Sequence, residues 1–243
     1  MASIGIGHPT AAFRRPSFAT AMLTTFLILM VTLHLLPTGE GPVQDTISMY
    51  ALGPYALVLR LALTCLGVGS FAVAMKFWSS IGGPRGRLLC SLTCVWATGS
   101  VLDACIDPSP SDERTDHGDV HVRIAVVAFA ALVVAAVVFA QWLRGQGDHR
   151  VQAALMTTVC VLAADAAQVV VTTGEFIAWD GVAERLVFAS AVCWMLVAVR
   201  VAERSRDRAL IPAEDPRRPQ RHLEVEVHPP RGVASGVGLQ VRR

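Results

Sequence analysis

A set of ionisable and amide side chains lies in or beside long apolar segments of this chain: His34, Arg60, Asp103, Asp107, His121, Asp165, Gln168, Glu184 and Arg185. Such groups are costly in an apolar medium unless they face one another or a water-filled cavity. Asp165 is the deepest, roughly 10 Å from the end of its segment at helical rise, and Gln168 shares its face. Arg60 stands at a matching depth in the second apolar segment. The matched depths predict an Arg60–Asp165 pair, read either as an ion pair that fixes helix packing or as part of a pocket for a ligand or proton. Removing one partner of a buried pair is severe under both readings.

His117-Gly118-Asp119-Val120-His121 adds a second chemistry. If a helix begins by Thr115 or Asp116, the two imidazoles lie at i and i+4 on one face. That spacing can present them to one metal, with Asp103 or Asp107 as an oxygen ligand. His-x-x-x-His by itself is weak evidence, because it lacks the glutamate base of a zincin helix. Asp116 and Asp119 have the simpler explanation of favourable charge at a helix N-terminus. No metal or other cofactor is assigned. His121 is expected to point inward and to share a polar cavity with at least one of Asp103, Asp107, Glu184 or Arg185. There a carboxylate would orient one ring nitrogen.

The elements that must position these groups are six apolar stretches: Phe18–Leu36, Tyr55–Phe77, Leu88–Cys105, Ile124–Leu143, Val151–Val171 and Val187–Val201. About 20 helical residues cross a hydrocarbon core of roughly 30 Å. Hydrophobic residues make up 53% of the 243 and charged ones 16%, with a mean hydropathy of +0.50. Ile124–Ala140 carries no charge on any face, so it lacks the amphipathic stripe of a soluble helix. The reading is an all-α, six-helix transmembrane bundle. A net charge of +2 gives no case for nucleic acid.

The charge distribution orients it. Arg14, Arg15, Lys76, Arg85, Arg87, Arg144, Arg150, Arg200, Arg204, Arg206 and Arg208 fall on one side. The loops near 37–54, 106–123 and 172–186 carry only Arg114, Arg123 and Arg185 as basic residues. Lys and Arg mark the cytoplasmic side, so both termini are expected in the cytoplasm of a cell-membrane protein. Trp78 and Trp142 on the inner side, with Tyr50, Tyr55 and Trp179 on the outer, would form the aromatic belts. Arg14-Arg15 before an apolar run also fits a twin-arginine export signal. The run is long for one, however, and no small-x-small cleavage site precedes Pro37. An uncleaved first span after a 1–17 lead is therefore preferred.

From residue 202 the chain turns to prolines, arginines and acids without an apolar period, which reads as a disordered cytoplasmic tail over 202–243. Its arginines could touch anionic headgroups. The cysteines read as packing residues, since Cys90 and Cys94 have neither zinc-ribbon nor redox spacing. Gly67, Gly69 and Ser70, and Ala163, Ala164, Ala166 and Ala167, would let helices approach closely, within the chain or across a dimer face. The single lysine among many Ala, Val and Arg suggests a high-GC bacterial coding bias.

Several short motifs stand in order along the outer loops. Asp45-Thr46-Ile47-Ser48-x-Tyr50 precedes Arg60, and Asp107-Pro108 precedes Thr115-x-x-Gly118-x-x-His121, with Phe129 further on. Gly181-x-x-Glu184-Arg185-Leu186 then leads to Trp194. Through these the chain resembles the DUF998 family of multi-pass bacterial membrane proteins, of unestablished function, over about Pro37 to Val201. The resemblance implies that His121, rather than His117, belongs to the shared pattern. Glutamine is common in the family where Glu184 stands, so this position departs from it. No substrate is implied.

Two functions remain open. One is a non-enzymatic binder, carrier or assembly partner that takes a small molecule or lipid in an outward polar pocket. The other is a membrane-embedded hydrolase in which His121 and nearby acids hold a water-activating metal. The first is preferred. No phosphate loop or nucleophile elbow is present, and no paired broken helices suggest an inverted-repeat transporter. The lipid bilayer is the one partner expected outright; the oligomeric state is open.

Overall fold

Each helix begins and ends where local chemistry allows it. The Ser17 side chain accepts the Thr20 N–H and opens α1, Phe18–Leu35. That helix stops because Leu36, preceding Pro37, is extended, as a residue before proline prefers. A 3-10 helix, Ile47–Leu52, follows, and then α2, Ala56–Ile81. Gly82 and Gly83 turn the chain at φ of 63° and 59°, a left-handed region that glycine enters without strain. With Pro84 in its first turn, α3 then runs over Gly83–Asp103. Thr115 caps α4, Asp116–Arg144, by accepting the Gly118 N–H, and Asp116 and Asp119 place negative charge in its first turn. Next come α5, Arg150–Thr173, and α6, Asp180–Leu210.

The computed structural model describes residues 17–110, 115–145, 150–173 and 179–210. The 1–16 lead and the tail beyond 210 lie outside the described residues. Within them the chain is all helical, with no strand. Phe18–Leu35, Ala56–Ile81, Asp116–Arg144 and Asp180–Arg204 are long and apolar enough to cross a membrane, and Ala154–Val170 is a shorter apolar stretch. The helices overrun the apolar segments: α4 starts at Asp116 rather than Ile124, and α6 continues through Leu210 instead of yielding to a tail at 202. Polar residues at helix ends sit outside the apolar packing without stopping the backbone ladder.

α2 packs against α1 and α3, α3 against α4, α4 against α5, and the 3-10 helix rests on α2. Ring contacts place α6 among four of these helices. Phe188 meets Phe26 of α1 and Phe129 of α4 with centroids 6.1 and 5.6 Å apart, and Trp96 of α3 at 6.2 Å. Under two turns along, Trp194 touches Phe77 of α2 and Phe139 of α4, at 6.1 and 5.8 Å. These separations suit tilted and edge-on aromatic pairs.

Close approach uses only part of the small-residue set. A Cβ on Gly67 would strike the Val101 side chain and come within 2.8 Å of the Ala97 carbonyl, so α2 and α3 touch through that glycine. Ala163, Ala166 and Ala167 are exposed instead, which corrects the expectation that they pack helices within this chain. Tyr50 is also corrected: it is buried rather than a belt residue, because its hydroxyl is wanted inside. The six cysteines are free; Cys65, Cys90 and Cys94 are half-buried and the other three exposed, so packing accounts for half the set.

Candidate functional site

One end of the helix set gathers the polar residues: the C-terminal ends of α1 and α3, the N-terminal ends of α2, α4 and α6, and the loops between them. The opposite end has its own tie, Lys76 of α2 to Glu203 of α6 at 3.4 Å.

Arg185, in the second turn of α6, is the hub of the polar end. Its Nε donates to His34 Nε2 at 2.6 Å and its Nη1 to the carbonyls of Asp45 and Gly181 at 2.8 and 2.7 Å. Its Nη2 donates to the Tyr50 hydroxyl at 3.0 Å. The guanidinium carbon also lies 5.6 Å from the Tyr50 ring centroid, within cation–π range. His34 Nδ1 stands 2.6 Å from the Met30 carbonyl. An Nδ1–H donating there leaves Nε2 to accept from Arg185, which sets the tautomer. Glu184 accepts the Ile47 N–H, so two consecutive residues of α6 hold both ends of the Asp45–Tyr50 motif. Gly181 permits this, since a Cβ there would collide with the Asp45 carbonyl oxygen. Nearby, burial first and then the Asp45 carboxylate push the Glu40 carboxyl above its ordinary range.

The second cluster joins α3 to α4. His121 is buried, with Nδ1 3.0 Å from the Ile106 carbonyl and 3.6 Å from Asp103 Oδ1. The loop that supplies Ile106 is folded back by Ser109, whose Oγ accepts the Thr115 N–H at 2.9 Å. Gly118 is the point of contact: a Cβ would sit 2.5 Å from the Ser109 nitrogen and 2.7 Å from its Cβ. Glu184 feels the charges of Asp180, Arg185 and Asp103, which brings the two clusters within electrostatic reach of each other. Asp103 Oδ1 is buried and has no hydrogen-bond partner among the described residues.

Arg60 corrects one expectation. Its Nη2 pairs with Asp107 Oδ1 at 2.7 Å, not with Asp165. Rise along a helix places both residues at similar depth, but direction around the axis decides the partner, and α5 packs on α4 rather than α2. Asp165 Oδ2 is buried with no hydrogen-bond partner among the described residues. Gln168 Nε2 donates to Asp180 Oδ1 at 2.6 Å, tying α5 to α6. The Arg60 and Asp107 side chains are 38% and 52% exposed, so their pair is expected to contribute only about 0.2–1 kcal/mol. A double-mutant cycle by thermal unfolding in detergent checks this. Arg60→Ala and Asp107→Ala should couple weakly, and Arg60→Ala with Asp165→Ala should be additive.

His117 is exposed while His121 is buried, so the two do not share a face toward one ion. No group of three or more His, Cys, Asp or Glu among the described residues is arranged to hold a metal. Sequence reasoning placed Tyr50 in an aromatic belt and Gly181 only in a motif, and it assigned no role to Ser109 or the carbonyls of Asp45 and Ile106. The usable signal was Gly181 one helical turn before Arg185, since a glycine beside a half-buried cation invites a backbone acceptor.

The motifs noted along the sequence thus meet pairwise in space: Asp45–Tyr50 with Gly181–Arg185, and Asp107-Pro108 and its neighbours with Thr115–His121. The model of a family described as "Protein of unknown function (DUF998)" matches residues 20–201. No curated protein gives a significant match, and no solved structure does.

Proposed function

This chain belongs to the DUF998 family, and from that premise we propose a six-span cell-membrane protein that binds a small molecule or lipid headgroup at its polar end. It acts as a binder, carrier or assembly partner rather than an enzyme. The arginine asymmetry supports placing both termini in the cytoplasm and the polar end outside. α3 and α5 complete the six spans although their polar and small residues lower their apolarity. α3 is flanked by α2 and α4, which lessens its contact with lipid. Topology is checked by single cysteines in a cysteine-free background. Gln44→Cys should react with a membrane-impermeant thiol reagent in intact cells and Ser79→Cys should not; the reverse pattern inverts the model.

The observation that carries the binding reading is the buried Asp103 Oδ1, without a donor among the described residues, beside His121. A buried acceptor without a partner is expensive. With Nδ1–H donating to the Ile106 carbonyl, His121 keeps Nε2 as a second acceptor. Two acceptors suit a ligand that brings donors, an ammonium or hydroxyl group. Arg185 has little to offer such a ligand, because four of its five N–H donors are already engaged.

Native mass spectrometry of the purified chain, with metal analysis, tests the reading. The wild type is expected to carry an amine- or hydroxyl-bearing molecule that Asp103→Asn loses by about tenfold, the equivalent of one charge-assisted hydrogen bond. Equal loading of both proteins, or none in either, overturns the reading. Stoichiometric metal that disappears with His121→Ala replaces it with the hydrolase.

A further inference from the structure

Away from the polar network, a groove runs along the outside of the α3–α4 pair. Its floor is the contact between Gly99 and Ala128, both buried; a Cβ on Gly99 would meet that of Ala128 at 2.5 Å. Larger exposed residues flank this contact as walls, Val95, Thr98 and Leu102 from α3 and Val120 and Val127 from α4. The groove encloses about 500 Å³, within the range of small-molecule sites. Cys94 to Leu102 and Val120 to Ala128 each span about 12 Å at helical rise.

Arg123 is the one charged residue lining it. It is exposed, and it forms no hydrogen bond or ion pair among the described residues. It lies about two turns from the start of α4, where a long side chain extends its head toward the polar end while its stem stays on apolar surface. An apolar slot with a cation beside its mouth that has no partner among the described residues matches an amphiphile with a hydrocarbon tail and an anionic head. Guanidinium groups hold phosphate with two parallel hydrogen bonds.

We propose that the α3–α4 groove seats one acyl chain of an anionic phospholipid of the surrounding membrane, with Arg123 holding the headgroup phosphate. This rests on the membrane placement proposed above and is independent of a ligand at Asp103. One favourable interfacial cation corresponds to a preference of about fivefold for an anionic over a zwitterionic lipid.

The test uses the full chain and native mass spectrometry with phosphatidylglycerol and phosphatidylcholine of identical chains. The wild type should retain one phosphatidylglycerol with that preference, and inorganic phosphate should not displace it. Arg123→Gln should bring the preference close to unity, and Arg123→Lys should keep part of it. Thr98→Trp, which fills the slot from an exposed position, should abolish retention of both lipids at unchanged helicity and melting temperature. Asp103→Asn should leave the lipid preference as it is, which separates this site from the polar one. Equal retention of the two lipids by wild type, an unchanged preference in Arg123→Gln, or displacement by phosphate alone overturns the proposal. A dimer that Thr98→Trp dissociates, with no lipid held, assigns the groove to a second copy of the chain.

Discussion

Arg185→Ala should be among the most damaging single substitutions in this protein. The side chain donates to His34, Tyr50 and the carbonyls of Asp45 and Gly181, and these four partners lie on α1, the 37–55 connection and α6. Hydrogen bonds to a charged group contribute about 1.5–3 kcal/mol each. They are not additive here, and the site is partly exposed. A combined loss of about 3–5 kcal/mol is therefore the reasonable scale, as for breaking a buried ionic contact. Arg185→Lys should recover less than half of it, because one ammonium cannot address acceptors spread around a planar fork. The readout is thermal unfolding in detergent together with hydrogen exchange. Amides of residues 45–53 should lose protection first, since the Ile47 N–H is held by the adjacent Glu184. An unchanged melting temperature with unchanged protection there would show that the clamp contributes nothing.

The second large effect separates two buried indoles. Trp96 and Trp194 are 2% and 0% exposed. Trp96 Nε1 donates to Ser70 Oγ at 3.1 Å, and Ser70 in turn donates to the Leu66 carbonyl at 2.7 Å. Trp194 Nε1 is buried with no hydrogen-bond partner among the described residues. Replacing either by Ala leaves a cavity at the centre of the aromatic packing and should cost about 3–5 kcal/mol. The Phe substitutions should part company. Trp96→Phe loses a satisfied bond and leaves the serine short of a donor, for about 1–3 kcal/mol. Trp194→Phe gives up an N–H that gains nothing where it is and should stay within about 1.5 kcal/mol. Equal penalties for the two Phe variants would mean that the Trp96–Ser70 bond does not stabilise the fold.

Several features could be read from residues alone because they depend on local properties. Unbroken apolar runs of bilayer length allow one backbone solution, the helix, that satisfies its own polar groups. The run Ile124–Ala140 therefore had to be helical whatever packed beside it. Depth along a helix is also local, since rise per residue is constant. His34, Arg60, Asp103, His121, Glu184 and Arg185 could thus be assigned to one end before any contact was known. The glycines at 82 and 83 and the threonine at 115 announce a turn and a cap by their own conformational preferences.

Partner choice is not local. Arg60 faces Asp107 rather than Asp165 because rotation about α2 and the neighbours of α5 are set by packing over the whole chain, which a one-dimensional depth does not encode. Glu184 and Arg185 read as pocket residues, yet they clamp a 3-10 helix more than 130 residues earlier in the chain. Only the placement of α6 among α1, α2, α3 and α4 brings that segment within reach. His117 and His121 share a helical spacing that allows one face, but the loop folded back by Ser109 buries the second and leaves the first in the open. The sequence by itself determined that the chain is helical, that at least four of its stretches are apolar enough to span, and which end holds the polar groups. The tertiary structure alone decided which of those groups touch, because contacts depend on rotation about each helix axis and on neighbours distant in the chain.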